Sequence, residues 1–250
     1  MELSGASVVV TGGTGGLGSD ICRAFARAGS KVAVVYLERK SRAEDIAAEL
    51  RQLGAADARA IQADVTRAEP IGAMVETVLE AWGRLDVLVN NAAFNQSVKF
   101  ADLDGMTLEL WEKIIGANTT GPFLCCKAVG PIMKRQGQGR IINIGSIAGF
   151  APTGSSIAYA VSKAALAHLT RCMAVALAPE VLVNGVAPGL MEGTRMTERL
   201  HPDQIRRSSA EAILGRVVDR NDVADQVVTF ARTDSTTGQN VLIDSGRTFR

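Results

Sequence analysis

The chain has 250 residues, 47% hydrophobic and 21% charged, an ordinary make-up for an α/β protein with a sizeable buried core. With 27 basic and 26 acidic residues the net charge is +1, which gives no electrostatic ground for nucleic acid or an anionic membrane as partner. No apolar run approaches the roughly 18 residues of a membrane span, and the N-terminus enters a strand pattern without the organisation of a signal peptide, so the expected location is cytoplasmic.

Val8 to Thr11 is a short β-branched run of the kind that forms a buried parallel strand. It feeds Gly12-Gly-Thr-Gly-Gly-Leu-Gly18, and then an amphipathic segment from Ser19 to Ala28 closed by Gly29. Strand, glycine loop and helix in that order make the first unit of a dinucleotide-binding fold: the glycines admit the pyrophosphate and the helix N-terminus faces it. Two registers fit, G-x-G-x-x-G at Gly13, Gly15 and Gly18, and T-G-x-x-x-G-x-G at Thr11, Gly12, Gly16 and Gly18. A flexible glycine-rich turn is the plain alternative.

Lys31 to Tyr36 reads as the second strand. An acid just beyond it would bind a ribose 2′-hydroxyl, and an arginine a 2′-phosphate. Here Glu38 stands among Arg39, Lys40 and Arg42; the cations outnumber it and favour NADP(H) over NAD(H). A solvated charge run opening a helix is the alternative for all of them. Helices follow over residues 42–53 and 71–83, and strands over 59–66 and 85–90, the latter running into Asn90-Asn-Ala-Ala93, where small residues let a flat ligand lie against backbone.

A helical pattern over residues 108–133 is interrupted at Thr119-Thr-Gly-Pro122, just after Asn118. A fifth strand from Arg140 ends at Ser146. Ser156 is expected to cap the next helix, with Ile157, Ala160, Val161, Ala164 and Leu169 on its buried side, and Pro179 to stop it. On that helix Tyr159 and Lys163 share a face, their Cβ atoms about 5–6 Å apart. An ammonium beside a phenol favours the phenolate, so the Tyr159 pKa is expected to fall from about 10 and the hydroxyl to become a proton donor and acceptor. A sixth strand runs from Val181 to Val186 and ends at Pro188-Gly189. Residues 190–214 read as a lid over the substrate site, residues 222–232 as a helix and 240–244 as the last strand. Cys22, Cys125, Cys126 and Cys172 read as small core residues, and His168 and His201 lack a partner cluster, so no metal site is expected. Helices alternating with short strands make residues 1–250 a single domain: an α/β Rossmann fold, doubly wound, with a parallel sheet of about seven strands.

These motifs together resemble the short-chain dehydrogenase/reductases, near the 3-oxoacyl-carrier-protein reductase-like branch, from about Leu3 to Gly246. Ser146 precedes Tyr159 by 13 residues, a separation typical of that family. The resemblance implies Tyr159 as acid/base, Lys163 as the group that lowers its pKa and holds the nicotinamide ribose, Ser146 as donor to the substrate oxygen, and Asn118 as holder of a water relay. It implies cofactor contacts from Gly12, Thr14, Gly16, Leu17 and Gly18, from Tyr36 and Arg39, from Asp64 and Val65 beside the adenine, from Asn91, Ala92 and Ala93, from Tyr159 and Lys163 themselves, and from Pro188, Gly189 and Thr194 around the carboxamide. Gly15 and Leu37 stand where many NADP-dependent members carry other residues, which leaves Arg39 as the 2′-phosphate ligand, and Thr194 comes one position later than usual. The implied reaction is ketone reduction to a secondary alcohol on a small carbonyl substrate. The alternatives are oxidation of an alcohol or sugar with NAD, and a cofactor-binding protein without turnover. A homotetramer through the last helix and strand is implied, with a dimer as alternative. Lys127, Lys134 and Arg135 give a modest surface for carrier-protein docking, otherwise a solvated helix face.

Overall fold

Seven parallel strands run in the order β3-β2-β1-β4-β5-β6-β7: Ser7–Val10, Lys31–Tyr36, Asp57–Gln62, Val87–Asn90, Gly139–Ile144, Val181–Pro188 and Asn240–Ile243 as β1 to β7. The structure is a computed structural model and describes residues 1–194, 197 and 202–249. The central strands β1, β4 and β5 are buried along their whole length, as befits strands covered on both faces, polar Asn90, Arg140 and Asn143 included. Because β2 and β4 flank β1 on opposite sides, the chain order reverses between β1 and β4. A parallel sheet opens a crevice at the carboxyl ends of its strands at such a point.

The helices are α1 (Gly16–Arg27), α2 (Lys40–Gln52), α3 (Ala68–Trp82), α4 (Leu108–Ile115), α5 (Gly121–Arg135), α6 (Ile157–Leu177), α7 (Pro202–Glu211) and α8 (Arg220–Arg232). One face of the sheet buries Ile21, Phe25, Leu50, Val223 and Phe230 from α1, α2 and α8. The other buries Ile71, Met74, Met133 and Leu177 from α3, α5 and α6. The doubly wound single sheet is as expected. The expected break at 119–122 is absent: a π-helical turn, Gly116–Thr120, carries α4 into α5, and Pro122 falls in the first turn of α5, where a missing N–H costs nothing. Of the expected lid, the closing part is helix α7; residues 195, 196 and 198–201, His201 among them, lie outside the described residues.

Helix α6 lies the other way round from the expectation. Its buried side carries Tyr159, Ser162, Lys163, Leu166 and Thr170, while Val161 and Ala164 face outward and Ile157, Ala160 and Leu169 are half-buried. With 21 residues and a mean hydropathy of 1.2 it is, among the described residues, the one helix long and apolar enough to cross a membrane by length and composition alone, and 44% of its apolar window is buried inside the fold. A helix apolar nearly all round gives no single stripe to read. Its orientation is set instead by polar contacts. Asn90 Nδ2 donates to Asn143 Oδ1 at 2.8 Å, Asn143 Nδ2 to Thr170 Oγ1 at 2.9 Å, and Thr170 Oγ1 to the Leu166 carbonyl at 2.9 Å, all buried. This ladder joins β4, β5 and α6.

Three of the four cysteines are core residues as expected, and burial pushes the Cys125 and Cys126 thiols up to about 12. Cys172 is exposed on α6, so for it the expectation is corrected. It shares the outer side of that helix with Val175, for the reason just given.

Thr170→Val should lower the unfolding free energy by about 1–3 kcal/mol, because it keeps the volume and strands the Asn143 amide donor. A urea denaturation midpoint unchanged from the parent protein would show that the ladder does not hold α6.

Candidate active site

Helix α1 begins inside the glycine loop. Gly15 is its cap residue, no side chain caps it and no acidic residue lies in its first turn, so the helix N-terminus is left for an anion from elsewhere. The backbone of the loop approaches its neighbours too closely for a side chain. Gly12 has φ +63°, and a Cβ there would lie 2.9 Å from Ala92 Cα; a Cβ on Gly18 would lie 2.3 Å from the Gly12 carbonyl oxygen. Thr11 and Asn91 lock this approach. Thr11 Oγ1 accepts from the amides of Asn91 and Ala92 at 3.0 Å each, and Asn91 Nδ2 donates to the carbonyls of Thr11 and Gly12 at 2.9 and 3.1 Å. An uncapped helix start above a glycine cradle at the switch point fits the diphosphate of a dinucleotide.

The adjacent strand end holds the reactive side chains. Ser146 follows β5, and its Oγ accepts from the Ala148 amide at 3.2 Å, capping a single 3₁₀ turn, Ile147–Gly149. Ser156 Oγ accepts from the Tyr159 amide at 3.2 Å and so starts α6; the expected cap is present. Lys163 is 3% exposed and its Nζ donates to the Ile144 carbonyl, the last residue of β5, at 2.9 Å. It sits 5.8 Å from the centre of the Tyr159 ring. Tyr159 is 9% exposed and hydrogen-bonds through its side chain with Ser146.

The expected acidification of Tyr159 is not what these contacts produce. Burial raises its pKa, and the hydrogen bond with Ser146 opposes this. The Lys163 ammonium donates to a backbone carbonyl and lies 5.8 Å from the centre of the ring. Burial in turn lowers the Lys163 pKa to about 8. The pair is thus a phenol held neutral and an amine that titrates near working pH.

Asn118 is fully buried on the π-helical turn, a feature that recurs at functional sites. Its Oδ1 accepts from the Phe94 amide at 2.8 Å, and its Nδ2 donates to the Phe94 carbonyl at 2.9 Å and to Ser162 Oγ at 3.0 Å. Ser162 Oγ donates to the Tyr159 carbonyl at 2.7 Å. Both donors of the Asn118 amide are therefore used, and they tie residue 94 to α6.

The remaining residues named from the sequence divide by position. Pro188 and Gly189 lie at the carboxyl end of β6, Asp64 and Val65 just past β3, and Ala93 past β4, all on the crevice edge of the sheet. Thr194 lies against the glycine loop, its Cα 3.3 Å from where a Cβ on Gly16 would be. Thr14 and Leu17 are buried in the loop and first turn, and Tyr36 is packed into the core at 6% exposure. Arg39 and Glu38 are exposed. Arg39 has no side-chain hydrogen bond or ion pair among the described residues. Arg42, one of the expected cluster but not singled out, is the cation that reaches the loop: its Nε donates to the Thr14 carbonyl at 2.8 Å. Nothing in the sequence distinguished it from its neighbours, since one turn of α2 decides which arginine points inward.

Residues 6–205 match the short chain dehydrogenase family. A 3-oxoacyl-(acyl-carrier-protein) reductase from Synechocystis sp. is 37% identical over 243 residues, 95% of each chain. Among solved structures, the Pseudomonas aeruginosa RhlG/NADP active-site complex matches with a TM-score of 0.89 and 32% identity, covering 98% of this chain and 97% of that one. The NADPH-dependent 3-quinuclidinone reductase from Rhodotorula rubra matches with a TM-score of 0.89 and 28% identity, covering 98% and 92%.

Between pH about 8 and the ordinary lysine value of 10.5, the unfolded chain holds the Lys163 proton and the folded one does not, so this residue's contribution to stability rises with pH. The unfolding free energy of the parent protein should therefore gain about 3 kcal/mol relative to Lys163→Met across that window. A difference that stays flat from pH 7 to 11 would show that the amine keeps its proton in the fold.

Proposed function

The chain belongs to the short chain dehydrogenase family and is an oxidoreductase, and on that premise we propose that it reduces a ketone to a secondary alcohol with NADPH. The observation that carries this reading is the hydrogen-bonded Ser146–Tyr159 pair, with Lys163 buried beneath it at the strand end next to the glycine loop. Fold and family supply NAD(P) binding, and the glycine cradle, Asn91 and Ala92, Lys163, Pro188, Gly189 and Thr194 are the residues that hold the cofactor. When bound, its nicotinamide supplies the hydride.

The side chains then have separate tasks. Tyr159 gives its proton to the oxygen of the reduced carbonyl, and burial that raises its pKa keeps that proton in place until it is needed. Ser146 donates to the same oxygen as charge develops, where a dry site makes a preset donor effective. Lys163, titrating near 8, returns a proton toward Tyr159 and steadies the ribose. The Asn118 peptide connects it to solvent.

NADPH is preferred to NADH in this reading because Arg39 and Arg42 stand at the entrance of α2, beyond the end of β2, with Glu38 the single acid among them. The Rhodotorula reductase is NADPH-dependent by name, and the Pseudomonas structure is an NADP complex. The substrate is a small 3-oxoacyl-like carbonyl, in line with the name of the Synechocystis relative. Lys127 and Arg135 are exposed on α5, while Lys134 is paired with Glu180 at 3.6 Å, which reduces the basic surface open to a carrier protein. A cytoplasmic homotetramer, built through α8 and the half-buried edge strand β7, completes the assignment.

Tyr159→Phe should lower kcat by about 10²–10⁴-fold and leave the cofactor Kd, read by nicotinamide fluorescence, nearly unchanged. Retained turnover would remove the phenol from the chemistry. In a second test kcat/KM should favour NADPH, and Arg39→Ala or Arg42→Ala should each cut that preference about tenfold, the scale of one charge-assisted hydrogen bond. An NADH preference in the unsubstituted enzyme would reverse the cofactor assignment.

A further inference from the structure

A second arginine, far away in sequence, reaches the mouth of the glycine loop. Arg220 is the first residue of α8, whose start is capped by Asp219: its carboxylate accepts from the Asn221 amide at 2.8 Å. Helix α8 packs along α1, sharing its apolar face with Val223 and Val227 among Leu17, Ile21 and Phe25. This fixes the Arg220 Cα beside the first turns of α1. Two further contacts then hold the guanidinium. Its Nε lies 3.1 Å from Asp20 Oδ2, a charge contact in which that oxygen makes no aligned hydrogen bond. Its NH1 donates to the Gly193 carbonyl at 2.5 Å.

These contacts place the cation at the helix N-terminus already identified as the diphosphate seat. A Cβ on Gly16, the residue that opens α1, would come within 2.7 Å of Arg220 NH1 and 2.5 Å of the Gly193 oxygen. Gly193 itself has φ +66°, and a Cβ there would lie 3.1 Å from NH1. Glycine at both positions lets the guanidinium and the 193–194 backbone close down on the loop. Arg220 remains 31% exposed, and its NH2 has no partner among the described residues.

We propose that Arg220 is a cofactor-positioning residue: it presents a guanidinium to the diphosphate of the dinucleotide and fastens the 193–194 segment over it. The inference rests on the cofactor seat given above. It adds a cation that the glycine motif does not contain. A phosphate oxygen is a stronger acceptor for the guanidinium than the Gly193 carbonyl, because there both partners are ionised and the planar fork can engage two oxygens at once. Asp20 keeps the guanidinium at the mouth when no phosphate is there. Occupancy of the seat and the position of the start of the lid thus share one side chain.

The test measures the Kd of ADP-ribose, NADH and NADPH by titration calorimetry for the parent protein, Arg220→Gln and Arg220→Lys. Gln keeps a donor for the Gly193 carbonyl and removes the charge, whereas Lys keeps the charge. The expected result is a loss of about tenfold for Arg220→Gln, equal for all three ligands because the diphosphate is common to them, and partial recovery in Arg220→Lys. Three results would overturn the proposal: unchanged affinities in Arg220→Gln; a loss confined to NADPH, which would put the guanidinium at the 2′-phosphate; or equal losses in Gln and Lys, which would make the role one of packing. Should the parent protein bind none of the three, the cofactor reading itself fails, and that outcome is separate from the first three.

Discussion

The bond from the Lys163 ammonium to the Ile144 carbonyl is the constraint on which the arrangement depends. A buried amine needs an acceptor, and the nearest is the last carbonyl of β5, two residues before Ser146. Meeting that need presses α6 onto the carboxyl end of the sheet and brings Tyr159, one turn earlier, to Ser146. The same burial sets the proton chemistry. It holds the phenol neutral and brings the amine down to about 8. Burial thus favours the neutral form of both side chains.

Around that contact the polar groups are arranged to position helices more than to meet a substrate. Asn118 uses both amide donors on Phe94 and Ser162, and Asn91 uses its own on the carbonyls of the glycine loop. Buried amides satisfied in this way rigidify a site. Beside them lie the hydrogen-bonded Tyr159 and Ser146 side chains, the Lys163 amine and the uncapped start of α1. Arginines border the glycine loop on both sides, Arg42 from α2 and Arg220 from α8.

Much of this was legible in the sequence. The glycine loop, the strand ends at Asn90 and Ser146 and the Tyr159–Lys163 spacing are local patterns, and local patterns survive folding because a four-residue offset on a helix means one face whatever lies outside it. The element boundaries for β2 and α8 fell within two residues of those observed. What went astray needed long-range contacts. The outward side of α6 is as apolar as its inward side, so periodicity pointed the wrong way. The expected break after Asn118 is a π-turn, whose extra residue per turn leaves no compositional mark. The Tyr159 pKa was expected to fall because sequence spacing gives the distance between two side chains and not the burial that raises it.

By itself, then, the sequence determined the fold class, the order of its strands along the chain and the chemical types gathered at their carboxyl ends, because each is a consequence of short-range periodicity and of glycine placed where backbone must approach backbone. Only the tertiary structure decided which arginines border the glycine loop, which face of α6 is inside and which way the Tyr159 proton equilibrium moves. Those outcomes depend on burial and on partners tens to hundreds of residues away, such as Gly193 and Asp20 for Arg220, and desolvation is a property of the assembled surroundings rather than of any local run of residues.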